Sequence, residues 1–294
     1  MYFAMISRLR KRKLMKSDVF ILYLLRFSHI RAIDEGKMMS DIVIKAIQQQ
    51  NLNTQNLNFL NLRDIAGIDN GLRDHLDWGR RIIPTQELLN QYLYSYGLMV
   101  ERQWNHIIPR VSEMLRDQAN QAIHLFDYGC GQALGSLLLL EKNYDIDNRI
   151  KNLTLVEPSA VALQRATALM QCKLPQIDIL SLNKNIDEVI ADDLNTTSQP
   201  INMHIFSNVL DIDSFDQFQL MLNILRKRGT HYIVAVSHDR DFAGGSPRLE
   251  SLFQALLKLE TEHDDVLIEH SDLQRFTDSK HMKHLFFALK IEIR

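Results

Sequence analysis

Ile123-His124-Leu125-Phe126-Asp127-Tyr128-Gly129-Cys130-Gly131-Gln132-Ala133-Leu134-Gly135 is the stretch on which the fold turns. An apolar strand runs into a glycine turn, and an amphipathic helix, Leu134 to Lys142, follows at once. Glycine lets a backbone turn tightly and come close to a ligand, and a helix N-terminus presents free N–H groups, so this order of elements suits a nucleotide-like ligand. The same turn also serves purely structural ends in many parallel sheets, so its meaning depends on what surrounds it.

Downstream, short runs rich in β-branched residues alternate with stretches of helical length. The expected strands are Ile123 to Tyr128, Leu153 to Glu157, Ile177 to Leu180, Met203 to Asn208, Tyr232 to Ser237, Val266 to Glu269 and Leu285 to Ile293. The expected helices are Leu134 to Lys142, Ala160 to Met170, Phe215 to Arg228 and Arg248 to Leu259. Such alternation predicts an α/β fold, a mostly parallel, doubly wound sheet of seven strands. The last two strands have no helix between them, which predicts an antiparallel edge. Upstream, the chain reads as helical, with apolar residues at helical spacing around Ile42 to Ile47 and Leu88 to Leu93, an Asn/Gln-rich polar stretch from Gln48 to Asn61, and a helix start at Pro84-Thr85-Gln86-Glu87. We therefore expect a helical N-terminal region, 1–120, and a Rossmann-like domain, 121–294.

The second strand ends in Val156-Glu157-Pro158-Ser159, 30 residues after Asp127. A carboxylate at that tip is placed to accept hydrogen bonds from a ribose, Pro158 stops the strand, and Ser159 can cap the next helix. An exposed surface glutamate is the plainer reading of the same residue. With Asp127-x-Gly129-x-Gly131 followed by Val156-Glu157-Pro158-Ser159 and seven strands, the segment from Ala122 to Arg294 resembles the class I S-adenosylmethionine (SAM) methyltransferases. The resemblance implies SAM as cofactor. It also implies that Asp127, Gly129, Cys130 and Gly131 hold its methionine part, and that Glu157 and Pro158 hold its ribose. That family often has a third glycine where this chain has Ala133. A dinucleotide-binding fingerprint would need glycine at Leu134, and Gly135 is one residue out of register.

The fourth strand ends in Ser207-Asn208-Val209-Leu210-Asp211, and ligands in open parallel sheets sit beyond such ends. Asn208 and Asp211 are therefore catalytic candidates, Asn208 a cofactor contact too, against the alternative of a polar turn before the next helix. The run lacks the Asn/Asp-Pro-Pro-aromatic pattern of exocyclic-amine DNA methylation. His238, after the fifth strand, has the chemistry of a general base. Asn183 stands where members of that family contact adenine. Asp192-Asp193 reads as a solvated helix end, and Tyr92, Tyr94, Tyr96 and Trp104 as core residues or as the wall of a substrate pocket.

The two cysteines, Cys130 and Cys172, make neither a disulfide framework nor a metal cluster. A formal net charge of −2 gives no global argument for nucleic acid, yet leaves room for a local basic face. Arg8, Arg10, Lys11, Arg12, Lys13 and Lys16 precede an apolar stretch, Val19 to Phe27, that is broken by Arg26 and too short to span a bilayer. The reading is a cytoplasmic SAM-dependent methyltransferase without membrane attachment. Its methyl acceptor is a small molecule or a protein in preference to nucleic acid. The alternative is a catalytically silent module with a SAM-binding fold, engaging a protein partner or a second copy through its helical N-terminal region.

Overall fold

The alternating runs fold into one sheet, seen in a computed structural model that describes residues 41–194, 200–242 and 244–294. The basic lead-in and the stretch Val19 to Phe27 lie outside the described residues. The strands are β1 Ile123–Tyr128, β2 Ile150–Val156, β3 Asp178–Leu182, β4 Ile201–Ser207, β5 Gly229–His238, β6 Val266–Thr277 and β7 Lys283–Ile293, in the spatial order β3-β2-β1-β4-β5-β7-β6. Strands β1 to β5 are mutually parallel, and β7 lies antiparallel between β5 and β6. This is the expected seven-stranded, mostly parallel, doubly wound α/β arrangement. The last two strands form the expected antiparallel edge, with β7 folded back inside β6, so β6 is outermost. β6 is also longer than its apolar run, because its exposed stretch Glu269-His270-Ser271 hides the strand from a periodicity reading.

The helices are α1 Ile42–Gln48, α2 Phe59–Ala66, α3 Gln86–Met114, α4 Leu134–Lys142, α5 Tyr144–Asp147, α6 Ala160–Lys173, α7 Ala191–Leu194, α8 Gln217–Leu225 and α9 Gly245–Glu262. Local chemistry sets several starts. Thr85 accepts from the Leu88 N–H at the head of α3, Asn58 from Asn61 at α2, Ser159 from Ala162 at α6, and Asp216 from Phe218 and Gln219 at α8. Among the described residues, no helix is long and apolar enough to cross a membrane.

Successive strand residues face opposite sides, so the sheet has two cores. On one side Leu125, Leu155, Ile205 and Val234 pack with Trp104 of α3, Leu138 of α4 and Leu169 of α6. On the other Phe126, Val156, Phe206 and Ala235 pack with Leu220 of α8 and Leu252 of α9. Val43 of α1 and Phe59 of α2 belong to the first core, and residues 42–294 form one compact unit.

The second face also holds a stacked aromatic file: His124 on Phe126, Phe126 on His204, Tyr128 on Phe206, and His204 on His231. Its polar edges are satisfied internally. His231 Nε2 lies 2.7 Å from the Lys227 carbonyl, which can only accept, so Nε2 carries the proton. His231 Nδ1 then accepts from His204 Nε2 at 3.0 Å, and His204 Nδ1 accepts from the Tyr128 hydroxyl at 3.0 Å. Burial keeps these rings neutral: it lowers His124 to about 3 and His231 to about 4, and takes His204 well below the usual histidine range.

Candidate functional site

The strand order reverses between β1 and β4, and a doubly wound sheet opens a crevice at the carboxyl ends of the strands there. The β1–α4 loop fills one wall of it. Three alternate residues are left-handed: Gly129 at φ 60°, Gly131 at φ 53° and Ala133 at φ 59°. Each does different work. A Cβ on Gly129 would lie 2.7 Å from Val209 Cγ2, so this glycine lets the loop pass beneath the β4 tip. A Cβ on Gly131 would meet nothing within 4 Å, because that side of the loop faces the crevice. Ala133 is fully buried and caps α4 from a conformation that favours glycine.

Asp127 is enclosed behind the loop rather than presented to the crevice. Its Oδ2 accepts from the Ser136 hydroxyl at 2.7 Å, while Oδ1 is buried with no hydrogen-bond partner among the described residues. Burial, only partly countered by Ser136, pushes its carboxyl up to about 7. Cys130 is buried, its thiol pushed well up by burial and by the neighbouring Asp127 and Glu157 charges, which makes it a poor nucleophile.

Glu157 ties the second strand tip to the loop. Its Oε2 accepts from the Gly131 N–H and its Oε1 from the Ser159 N–H, both at 2.9 Å. Burial raises its carboxyl and the two N–H bonds pull it back down, with a net rise. Asn183 braces this tip from outside, its amide donating to the Glu157 and Pro158 carbonyls at 2.9 and 2.8 Å. It does not line the crevice, where its place is taken by Asn185, Ile186 and Asp187.

The cavity so enclosed is about 470 Å³, within the rough 300–1,000 Å³ range of small-molecule sites. Gly129, Gly131, Glu157, Pro158 and Asn208 all line it. The opposite wall comes from the helical part: Gly79 to Ile83, Leu89 and Tyr92. Of this wall the sequence offered only Tyr92, since Arg80, Arg81, Ile82 and Ile83 belong to an irregular loop with no periodicity to betray them. A turn of three left-handed residues, Asp77, Trp78 and Gly79 (φ 45°, 57° and 86°), aims the loop, and the Ser159 hydroxyl anchors it by donating to the Ile83 carbonyl at 2.5 Å. Burial and the Glu157 charge push the Tyr92 phenol up, so it stays protonated. The other aromatics go elsewhere. Trp104 is fully buried, donating to Ser207 Oγ at 3.0 Å, and Tyr94 and Tyr96 lie under Arg63 and Arg73.

The three catalytic candidates separate. Asn208 lines the cavity at φ 57°. Asp211 does not: its Oδ2 takes Arg240 Nη2 at 2.8 Å and its Oδ1 takes the Ser237 hydroxyl at 3.0 Å, a buried ion pair that pins the β4 and β5 tips together. His238 also lies outside the lining, with Nδ1 2.8 Å from the Lys283 carbonyl of β7. Asp193 is held by Lys184 at 2.8 Å, and Asp192 beside it has no part in the cavity. No group of three or more metal-ligating side chains occurs among the described residues.

No protein-family model matches the chain, and no curated protein matches it in sequence. Solved structures resemble it in shape. The plantazolicin methyltransferase BpumL in complex with S-adenosylhomocysteine (SAH) is 10% identical, at a TM-score of 0.46, with 76% of this chain and 97% of that one covered. A SAM-dependent methyltransferase from Leishmania major is 12% identical at 0.40, covering 74% and 81%. TrmK from M. capricolum with bound SAH is 14% identical at 0.38, covering 64% and 67%. At such values the fold rests on the strand order, and the reading of the site rests on its own residues.

Proposed function

We propose that the cavity binds SAM and that the protein transfers its methyl group to an acceptor entering beside Arg80 to Ile83. The observation that carries this reading is the pairing of Gly131 and Glu157. The loop leaves the space above Gly131 clear, and the carboxylate beside it keeps lone pairs for a ribose diol after accepting its two N–H bonds. Gly131 would take the methionine part, Glu157 and Pro158 the ribose, and Ile186 with Asn185 the adenine edge. When bound, the sulfonium supplies the electrophilic methyl group. The chain's own contribution is alignment and exclusion of water: Tyr92, Leu89 and Ile83 cover the site from the helical side, and Asn208 offers an amide where the acceptor arrives. Proximity and alignment are the main source of rate, with Asp187 a lining carboxylate that no other side chain engages among the described residues. The net charge and the missing base-methylation tetrapeptide favour a small-molecule or protein acceptor.

Calorimetry with SAM, SAH and NAD tests the reading directly. SAM and SAH are expected to bind and NAD not. Binding of NAD alone, or of none of the three, would overturn it. One observation favours a silent module instead: the Asn208 amide is already engaged, on Gln103. Transfer of a labelled methyl group to any component of a cell extract would exclude that alternative.

A further inference from the structure

The Asn208 side chain does not stand alone. Its Oδ1 accepts from Gln103 Nε2 at 2.9 Å and its Nδ2 donates to Gln103 Oε1 at 2.8 Å, a reciprocal amide pair. Gln103, on α3, is fully buried, and its Nε2 also lies 3.0 Å from His284 Nδ1 on β7. On its far side, His284 Nε2 faces Asp278 Oδ2 at 3.3 Å, an electrostatic contact rather than an aligned hydrogen bond. Asp278 is held in turn by Arg102 Nε at 2.6 Å and by the Lys280 and Met282 N–H groups of the β6–β7 turn.

Donor and acceptor roles propagate along this chain from one end. Against the cost of burial, Arg102 and the turn's N–H groups hold Asp278 well below the usual carboxylate range, so it is an acceptor only. A neutral ring turns its N–H rather than its lone pair toward that carboxylate, so the proton of His284 sits on Nε2, and Nδ1 is left to accept. Gln103 must then turn its NH2 toward His284, which points its Oε1 at Asn208. Asn208 has no choice left: its NH2 meets Oε1 and its oxygen meets Nε2. One N–H and one lone pair of its amide remain over, at fixed positions on the cavity wall.

We propose that Gln103 is a positioning residue for the ligand site, and that His284 and Asp278 set the polarity with which Asn208 meets its ligand. The inference rests on the SAM-site reading above. A carboxamide has nearly the same shape either way round, so without this chain Asn208 would present its donor and its acceptor interchangeably. With it, one orientation is selected from residues that touch no ligand.

Two variants of His284 separate polarity from packing. His284→Asn retains a carboxamide oxygen near the place of Nδ1, whereas His284→Phe keeps a ring but removes the acceptor. With SAH as the probe, the Asn variant is expected to bind within about twofold of wild type and the Phe variant about five- to tenfold more weakly, the order of one hydrogen bond. Equal affinity in wild type and the Phe variant, or equal weakening in both, would overturn the proposal. If His284→Phe does not fold, as checked by circular dichroism, Gln103→Met takes its place. The side-chain amide signals of Asn208 in the ligand-free protein supply a second readout by NMR. Slow exchange in wild type and the Asn variant, with fast or doubled signals in the Phe variant, supports the chain, and identical signals in all three refute it. Wild type that fails to bind SAH would sink the cofactor reading, while those amide signals still decide the positioning role.

Discussion

Gly129, Gly131 and Ala133 share a backbone conformation but differ in what a side chain there would meet, and that difference is measurable. Gly129→Ala drives a methyl group into Val209 in addition to the left-handed cost, so it should destabilise the fold by about 2–4 kcal/mol. Gly131→Ala meets no protein atom and should cost only about 1–2 kcal/mol, yet its methyl group enters the ligand's space. Its SAH affinity is expected to fall at least about tenfold, and undiminished binding would remove Gly131 from the site. For Ala133→Gly the terms oppose each other: relief of the left-handed strain gains about 1–2 kcal/mol, while the buried methyl and glycine's freedom in the unfolded chain take back about as much. A melting shift equivalent to less than about 1 kcal/mol is the expected result, which accounts for an alanine standing where the resembled family often has glycine. Glu157→Ala removes the acceptor for two N–H groups as well as for the ribose, so SAH binding should weaken by about 10- to 100-fold. Gly129, Gly131 and Glu157 were legible in the sequence because a strand-to-helix turn and a strand tip are local features. Asn183, Asp211 and His238 were named by the same logic, but strand tips offer many polar groups, and only the packing shows which point inward.

At the scale of elements, β1 does two jobs that its sequence shows as one apolar run. Leu125 faces the core under α3 and α4, while His124, Phe126 and Tyr128 build the opposite file. Tyr128→Phe tests that file, since it leaves His204 Nδ1 buried without its donor. We expect a loss of about 1–3 kcal/mol in chemical denaturation, and no loss would mean that the ring is held by stacking alone. Strands β1, β4 and β5 were readable as short apolar runs because both faces are buried and the β-branched and aromatic content is high. The order of β6 and β7 was not, since pairing between strands leaves no trace in either strand's own pattern. The wall from Gly79 to Ile83 was illegible for a related reason: it is positioned by Ser159, a residue on another element, through a single hydrogen bond.

For the molecule as a whole, the buried histidines set a pH window. His124, His204 and His231 are neutral when folded and free to take protons near pH 6.5 when unfolded. The stability tied to their neutral state is therefore complete above about pH 6.5 and lost as the pH falls toward about 4. Asp127 acts with the opposite sign: its raised carboxyl keeps a proton that the unfolded chain releases, so its share is complete below its ordinary value of 3.8 and lost as the pH rises to about 7. The three histidines lose more over this range than Asp127 and the likewise raised Glu157 gain, so the melting temperature should fall between pH 6.5 and 4, and Asp127→Asn should steepen that fall. A flat profile over this range would contradict the assignment of neutral histidines. The chain also answers, at this scale, what its sequence could determine alone. Strand and helix alternation, the glycine turn and the acid 30 residues beyond it are short-range patterns, set by backbone sterics and by burial period, and they suffice for the α/β class and the two strand tips that line the cavity. Tertiary structure decided the rest: which polar tips turn inward, how the helical part closes the cavity, and that Gln103 of α3 and His284 of β7 meet at Asn208. Those choices depend on hydrogen bonds and packing between residues as much as 181 positions apart, and no local pattern encodes such a meeting.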